Sequence, residues 1–321
     1  MREGNQSLVT QFILMGFSNF REFQVILFMI FLGIYLIALI GNSLLVLVSM
    51  VDPSLQTPMY FFLRSLSLMD IGYTTVVNPK MLINLLSKDK SISFGGCAAQ
   101  MYFAFLFGPS ECWILATMAY DRQAAICDPL RYSLIMNQRR CLQLAMASWL
   151  AGIPVATIKT TLMFTLTFCG PNVIYHFFCD SPPVLDLVCT DTFALEVYSV
   201  TGTVTVLMLP FGLIIVSYVR ILVTILKMSS AEGRRKAFST CSSHLVVVSL
   251  FFGAAGSTYF RVKSSYSPET KMLLSLSYTV FTPMLNPLIY SLRNQEVKGA
   301  LKRILGKKKS SQDLRGSDLG K

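Results

Sequence analysis

Charge is scarce in this chain: 14% of its 321 residues are Asp, Glu, Lys or Arg, against 53% that are hydrophobic. A soluble domain of that composition would lack the polar surface to cover itself. Histidine occurs only twice, as His176 and His244, and neither has a second histidine at metal-ligand spacing. Tandem repeats, zinc patterns, a Walker loop and a nucleophile elbow are all missing, which leaves enzymatic chemistry without a seat. A cleavable signal peptide is not expected either. Arg2 and Glu3 precede the polar Asn5-Gln6-Ser7, and the first long apolar run starts near Phe23, so that run must act as its own insertion signal.

What the chain has instead is a series of apolar runs, each of about 20 residues or more, enough to cross about 30 Å of hydrocarbon. Hydrophobic patterning predicts helices over Phe23–Met50, Met59–Leu86, Gly95–Ala125, Leu142–Phe164, Val197–Leu226, Ala237–Tyr259 and Met272–Leu292. The expected fold is all-α, a seven-transmembrane helix bundle. Its expected organisation is an extracellular arm over 1–22, the bundle over 23–292, and an amphipathic helix with a basic cytoplasmic tail over 293–321. In that last segment Val297, Leu301, Ile304 and Leu305 share one face, which would lie on the inner leaflet.

The net charge of +11 is clustered. Arg131, Arg139 and Arg140, then Lys227, Arg234, Arg235 and Lys236, then the stretch from Arg293 to Lys309, are basic, whereas the other loops carry Asp180, Asp186, Asp191 and Glu196. The positive-inside bias therefore puts the C-terminus in the cytosol and, with seven spans, the N-terminus outside, where Asn5 heads a glycosylation sequon. The basic excess points to a bilayer rather than to nucleic acid.

Four long segments follow one another along the chain: Pro58-Met59-Tyr60-Phe61-Phe62-Leu63, Met118-Ala119-Tyr120-Asp121-Arg122 with its continuation to Tyr132, Lys236-Ala237-Phe238-Ser239-Thr240-Cys241-Ser242-Ser243-His244-Leu245, and Pro283-Met284-Leu285-Asn286-Pro287-Leu288-Ile289-Tyr290. With these the sequence closely resembles vertebrate odorant receptors, within the rhodopsin-like G-protein-coupled class, and the tenth odorant-receptor family most nearly. The resemblance implies that a small volatile is bound on the outer side and that a stimulatory, olfactory-type G protein is activated to raise cAMP.

It also implies that Arg122 is held by Asp121 at rest and meets the G protein when active, a static interfacial ion pair being the alternative. Gln123 stands where the family pattern expects an aromatic, with Ala124 beside it, so coupling strength is expected to differ. Pro287 should bend the last span, and the resemblance implies that Tyr290 moves inward with Tyr218 on activation; interfacial anchoring is the plainer role for such tyrosines. Asp70 and Glu111 are isolated acids within spans, and two neighbouring acids need a cation or a shared proton. The family match supports a sodium ion there, with Asn42 and Asn286 close by.

Cys112, Cys127, Cys141 and Cys241 are expected as free thiols. Cys97, Cys169, Cys179 and Cys189 fall on the outer side and allow three pairings; the resemblance implies Cys97–Cys179 and Cys169–Cys189, with Cys97–Cys189 as competitor. His176-Phe177-Phe178-Cys179-Asp180 also resembles a segment proposed to bind copper, which an oxidised Cys179 would not serve as a thiolate.

Residues three or four apart share a helix face, so Ala104, Phe105, Gly108 and Cys112 form one stripe, and Phe252, Ala255, Gly256 and Tyr259 another. Gly202, Thr203 and Val206, with Leu276 and Thr279, could complete a cup. Each stripe alone also fits close helix packing. Ala104 and Val280 stand where the resemblance would place the aspartate of amine receptors and the lysine of visual pigments, so an apolar guest with one or two polar groups is expected. Lys159 could meet a carbonyl or an acid, or snorkel to the headgroups. Other readings are a chemosensor for a non-odorant metabolite, a transporter or channel, a membrane enzyme, and an adhesion protein. Repeats or a polar stripe, which a transporter or channel would carry, are missing.

Overall fold

The computed structural model describes residues 9–169, 171–259, 268–293 and 296–303. Asn5, Ile304, Leu305 and the tail lysines lie outside the described residues. Seven long helices cross the molecule: α1 (Gln24–Val51), α2 (Pro58–Leu86), α3 (Phe94–Cys127), α4 (Gln138–Phe164), α5 (Phe193–Lys227), α6 (Ala231–Tyr259) and α7. The last is built from Pro268–Leu276, a π-helical turn at Ser277–Phe281, and Thr282–Arg293. Local chemistry sets several of the starts. Pro58 opens α2, where its missing N–H costs nothing. The Ser93 and Asn137 side chains cap α3 and α4 by accepting from Gly96 N and Arg140 N.

Burial runs opposite to apolarity. Among the described residues, five helices are long and apolar enough to span a membrane by themselves, and α1 is the most apolar of them and the least covered by protein. Its buried residues Phe31, Ala38, Asn42, Leu45 and Ser49 form one stripe at helical spacing, while Val25, Met29, Ile40, Leu44 and Leu47 face outward as lipid-facing residues do. Helices α2 and α3, of 29 and 34 residues, are as long but carry Arg64, Asp70 and Lys80, and Glu111, Asp121 and Arg122. They occupy the middle: α3 packs against α2, α4, α5 and α6.

A small three-stranded sheet roofs one end. Strand β1 (Gln11–Leu14) lies between β2 (Ser91–Ser93), antiparallel, and β3 (Val173–Ile174), parallel. It is short and built from three distant segments, so alternation over four residues gives it no signal in the sequence. At the other end residues 296–303 form a helix. Val297 and Ala300 are buried in the same core as Tyr60 and Tyr290, so part of the apolar face expected on lipid packs on the bundle instead. Tyr60 donates to Glu296 at 2.7 Å, and Arg303 bonds Asp52 at 3.0 Å. The Arg303 guanidinium and the Ser54 hydroxyl hold the Asp52 carboxyl down at about 2. The clasp is therefore fully present above the ordinary carboxylate range and is lost only as pH falls through about 2.

Helix contact inside a bilayer gains little from hydrophobic burial, because lipid is equally apolar, so close approach and hydrogen bonds carry it. The tightest approach is at Gly152 of α4, where a Cβ would collide with the Leu106 carbonyl of α3 and stand 2.7 Å from Ser110 Oγ. Ser110 itself donates to Leu106 O at 2.8 Å and to Trp149 O at 3.2 Å. A backbone carbonyl cannot rotate away, so Gly152→Ala should cost about 1–3 kcal/mol by overpacking. Surface expression and the thermal unfolding temperature in detergent should both fall, whereas Gly212→Ala, with open space around it, should match the parent.

Candidate functional site: a cavity and a polar latch

A cavity opens among α3, α4, α5, α6 and α7, with about 810 Å³ of unfilled space including its mouth. Of the residues expected from helical stripes, Ala104, Phe105, Gly108, Cys112, Gly202, Thr203, Val206 and Ala255 line it. Of the others, Phe252, Gly256, Leu276 and Thr279 do not. Phe252 packs against Phe211 at 5.2 Å and Phe251 at 5.4 Å, and Gly256 is half-buried off the lining. Leu276 joins a core with Tyr73 and Phe177, and the Thr279 hydroxyl donates to Ser275 O at 2.7 Å. The Tyr259 side chain lies outside the described residues. The π turn explains the last helix: its extra residue rotates the register, so Tyr278 reaches the cavity in place of Leu276 and Thr279.

Helical periodicity missed residues that come from the loop and from the first turns of α5, among them Phe178, Asp180, Tyr198 and Ser199. Phe178 and Asp180 flank Cys179, which is bonded to Cys97 at the head of α3 with a Cα separation of 5.5 Å; Cys169 and Cys189 close the loop at 5.6 Å. Both pairings are those the resemblance implies, and Cys112, Cys127, Cys141 and Cys241 are free. Gln100 fastens the same corner, accepting from Cys179 N at 2.9 Å and donating to Val76 O at 3.0 Å. With its sulfur in a disulfide, Cys179 is no thiolate ligand. His176 is packed between Phe177 and Phe178, at 4.6 and 4.9 Å, and burial lowers its pKa to about 4.

Two acids lie deep in the bundle. Both oxygens of Asp70 accept from the Asn286 amide, at 3.0 and 3.2 Å. Glu111 is buried, lines the cavity, and has one carboxylate oxygen without a partner among the described residues. Asn42 donates to Ala38 O and Pro283 O, both at 3.0 Å, while its own oxygen is unpartnered. Pro287 sits against Gly41, where a Cβ would meet its ring at 2.9 Å.

At the end of the bundle opposite the cavity Arg122 does not pair with Asp121, in contrast to the resting arrangement the resemblance implies. Adjacent residues on a helix point about 100° apart and do not face each other. The Arg122 guanidinium donates to the Thr240 carbonyl of α6, and Asp121 accepts from the Tyr132 hydroxyl at 2.8 Å. Tyr218 shares a 2.7 Å hydrogen bond with His244 Nδ1, whose other nitrogen stands 3.1 Å from Leu115 O. The Tyr290 hydroxyl is buried and unpartnered among the described residues. Gln123 and Ala124 are buried beside the latch.

Seven helices, a disulfide-pinned loop over a cavity, and a polar latch at the opposite end define a seven-helix membrane receptor. The family model described as Olfactory receptor matches residues 31–308. Olfactory receptor 10A7 of Homo sapiens is 59% identical over 304 residues, covering 95% of this chain and 96% of its own. Olfactory receptor 10A5 is 59% identical over 308 residues, with 96% and 97% covered, and Olfactory receptor 10A2 is 60% identical over 294, with 91% and 97%, both from Homo sapiens. The chain therefore belongs to the olfactory receptor family: it is an odorant-type G-protein-coupled receptor, a multi-pass plasma-membrane protein, and not an enzyme.

Because Cys97–Cys179 fixes two residues of the cavity wall and Cys169–Cys189 fixes none, the two bonds should separate in function. Cys97→Ser with Cys179→Ser should lower agonist potency at matched surface level by about 10-fold or more, the size of a misplaced wall contact. Cys169→Ser with Cys189→Ser should stay within a few-fold. Concentration–response curves with surface labelling check both.

Proposed function

We propose that the chain binds a small, mostly apolar volatile in this cavity and activates a stimulatory, olfactory-type G protein that raises cAMP. The observation that carries the reading is the wall itself: Ala104, Gly108, Cys112, Gly202, Val206, Leu207 and Ala255 give an apolar lining with a few polar groups, which suits a volatile carrying one or two polar atoms. A guest of about ten heavy atoms buries little area, so modest affinity is expected. The N-terminus is outside and the C-terminus inside in this reading, supported by the basic clusters at the latch end and by two disulfides, which belong to an oxidising compartment, at the cavity end.

Signalling in this reading passes through the latch. A G-protein segment enters between α3 and α6, which requires Arg122 to leave the Thr240 carbonyl, with Tyr218 and Tyr290 repacking as it goes. Arg122→Ala should lose agonist-evoked cAMP at matched surface expression by roughly 30-fold or more, the scale of a central interface arginine. An intact response in that variant would remove the latch from the mechanism.

Asp70 and Glu111 are read as a sodium site. The donors are hard oxygens, as such an ion needs, and the unpartnered oxygens of Glu111 and Asn42 are the kind of orphan a cation would satisfy. One proton shared between the acids is the alternative. Sodium titration should shift agonist potency in the parent and leave Asp70→Asn flat; if sodium moves neither, the shared proton stands.

A further inference from the structure

Lys159 is 5% exposed, so it does not snorkel to the membrane surface. Its ammonium lies over the Phe105 ring, 4.0 Å from the centroid, on the wall of the cavity. Among the described residues it has neither a hydrogen bond nor an ion pair. Asp180, on the same wall, acts on it electrostatically, but the Asp180 oxygens accept from Ser181 N at 2.8 Å and from the Tyr278 hydroxyl at 3.2 Å. A second unsatisfied group shares the lining: Ser199 Oγ is buried and has no partner among the described residues. A buried polar group is rarely left unpaired in a finished structure, so each orphan marks a place for a guest atom.

The charges around the cavity restrict that guest. They are Glu111, Lys159 and Asp180. A carboxylate guest would face two acids in a low-dielectric space, and an ammonium guest would face Lys159. Lys159 offers donors only, so its partner must bring lone pairs. A carbonyl oxygen meets Lys159 with lone pairs alone, whereas a hydroxyl guest must also seat a donor, for which Glu111 and Ser199 are the acceptors on the wall, so the alcohol is the competing guest in the series below. We propose that Lys159 is the specificity-determining residue of the cavity, and that it selects uncharged carbonyl compounds, namely aldehydes, ketones and esters, by donating to the carbonyl oxygen. Phe105 holds the ammonium in place by a cation–π contact while the cavity is empty. This inference rests on the cavity being the odorant site.

The test is a series of equal chain length and branching: hydrocarbon, alcohol, aldehyde, methyl ketone, methyl ester, carboxylic acid and amine. Each is assayed by cAMP response in cells expressing the parent, Lys159→Met and Lys159→Arg, with surface labelling. In the parent the carbonyl members should exceed the hydrocarbon in potency by about 10- to 100-fold, the value of one hydrogen bond to a charged donor. Lys159→Met should erase that difference, read as the ratio of carbonyl to hydrocarbon potency within the variant, and Lys159→Arg should keep most of it. Equal potency of hydrocarbon and carbonyl compounds in the parent would overturn the inference while leaving the odorant reading intact, as would a preference for the acid, the alcohol or the amine. A carbonyl preference surviving in Lys159→Met would overturn it too. Silence to every member of a wide volatile panel would sink the odorant reading itself, and this inference with it.

Discussion

In a bilayer a helix gains almost nothing by pressing leucine against leucine, so the central helix α3 is held by its polar contacts, and the rest of the bundle depends on them. Ser110 reaches the α4 backbone, Gln100 the α2 backbone, Arg122 the Thr240 carbonyl and His244 the Leu115 carbonyl. Each is a side chain meeting a main-chain oxygen that helix geometry leaves able to accept a second bond. Arg122 thus both weakens the span signal of α3 and fixes a neighbour, as Asp70 does in α2 by accepting from Asn286. The most lipid-like helix, α1, is by the same logic peripheral, tied in through Asn42 to Pro283 O and through the fit of Gly41 against Pro287.

One helix joins the two ends. Ala104 and Gly108 line the cavity, Glu111 and Cys112 its inner part, Leu115 receives His244, and Arg122 closes the latch. At 1.5 Å per residue these points span about 27 Å of α3. In the proposed mechanism a guest that draws α6 or α7 toward the cavity would therefore act on a rigid rod and on His244, which touches both α3 and Tyr218 of α5. The coupling needs no long chain of contacts, only two packings of α6 against α3 that the cavity and the G protein bias together.

The sequence resolved what repeats along a helix and little of what does not. All seven spans are legible from hydrophobic runs, and eight wall residues from three- and four-residue spacing, because both signals are local. Asp180 and Phe178 are not, since a disulfide to Cys97, 82 positions away in sequence, carries them to the cavity. Ser199 was hidden because it lies one turn before the stripe read from Gly202. Tyr278 was hidden for a different reason: the π turn breaks the period on which any face assignment rests. The β1–β3 sheet pairs four-residue or shorter segments from distant parts of the chain, so nothing local announces it. Lys159 was visible as a charge in a span, yet only its burial decides between headgroup and cavity.

The choice of partner for Arg122 also bears on how so small a guest can work. A ligand moves an equilibrium only by its difference in affinity for the two states, and about ten heavy atoms in an apolar cup supply a few kcal/mol of such difference at most. Breaking a buried ion pair by withdrawing one partner costs about 3–5 kcal/mol, which would consume all of it. A single hydrogen bond from a charged donor to a neutral carbonyl is worth about 1.5–3 kcal/mol. With Arg122 on the Thr240 carbonyl and Asp121 occupied by Tyr132, the latch falls in the smaller range, and opening it leaves Asp121 paired. Under the proposed function a weakly binding volatile would thereby be matched to a latch weak enough for it to release.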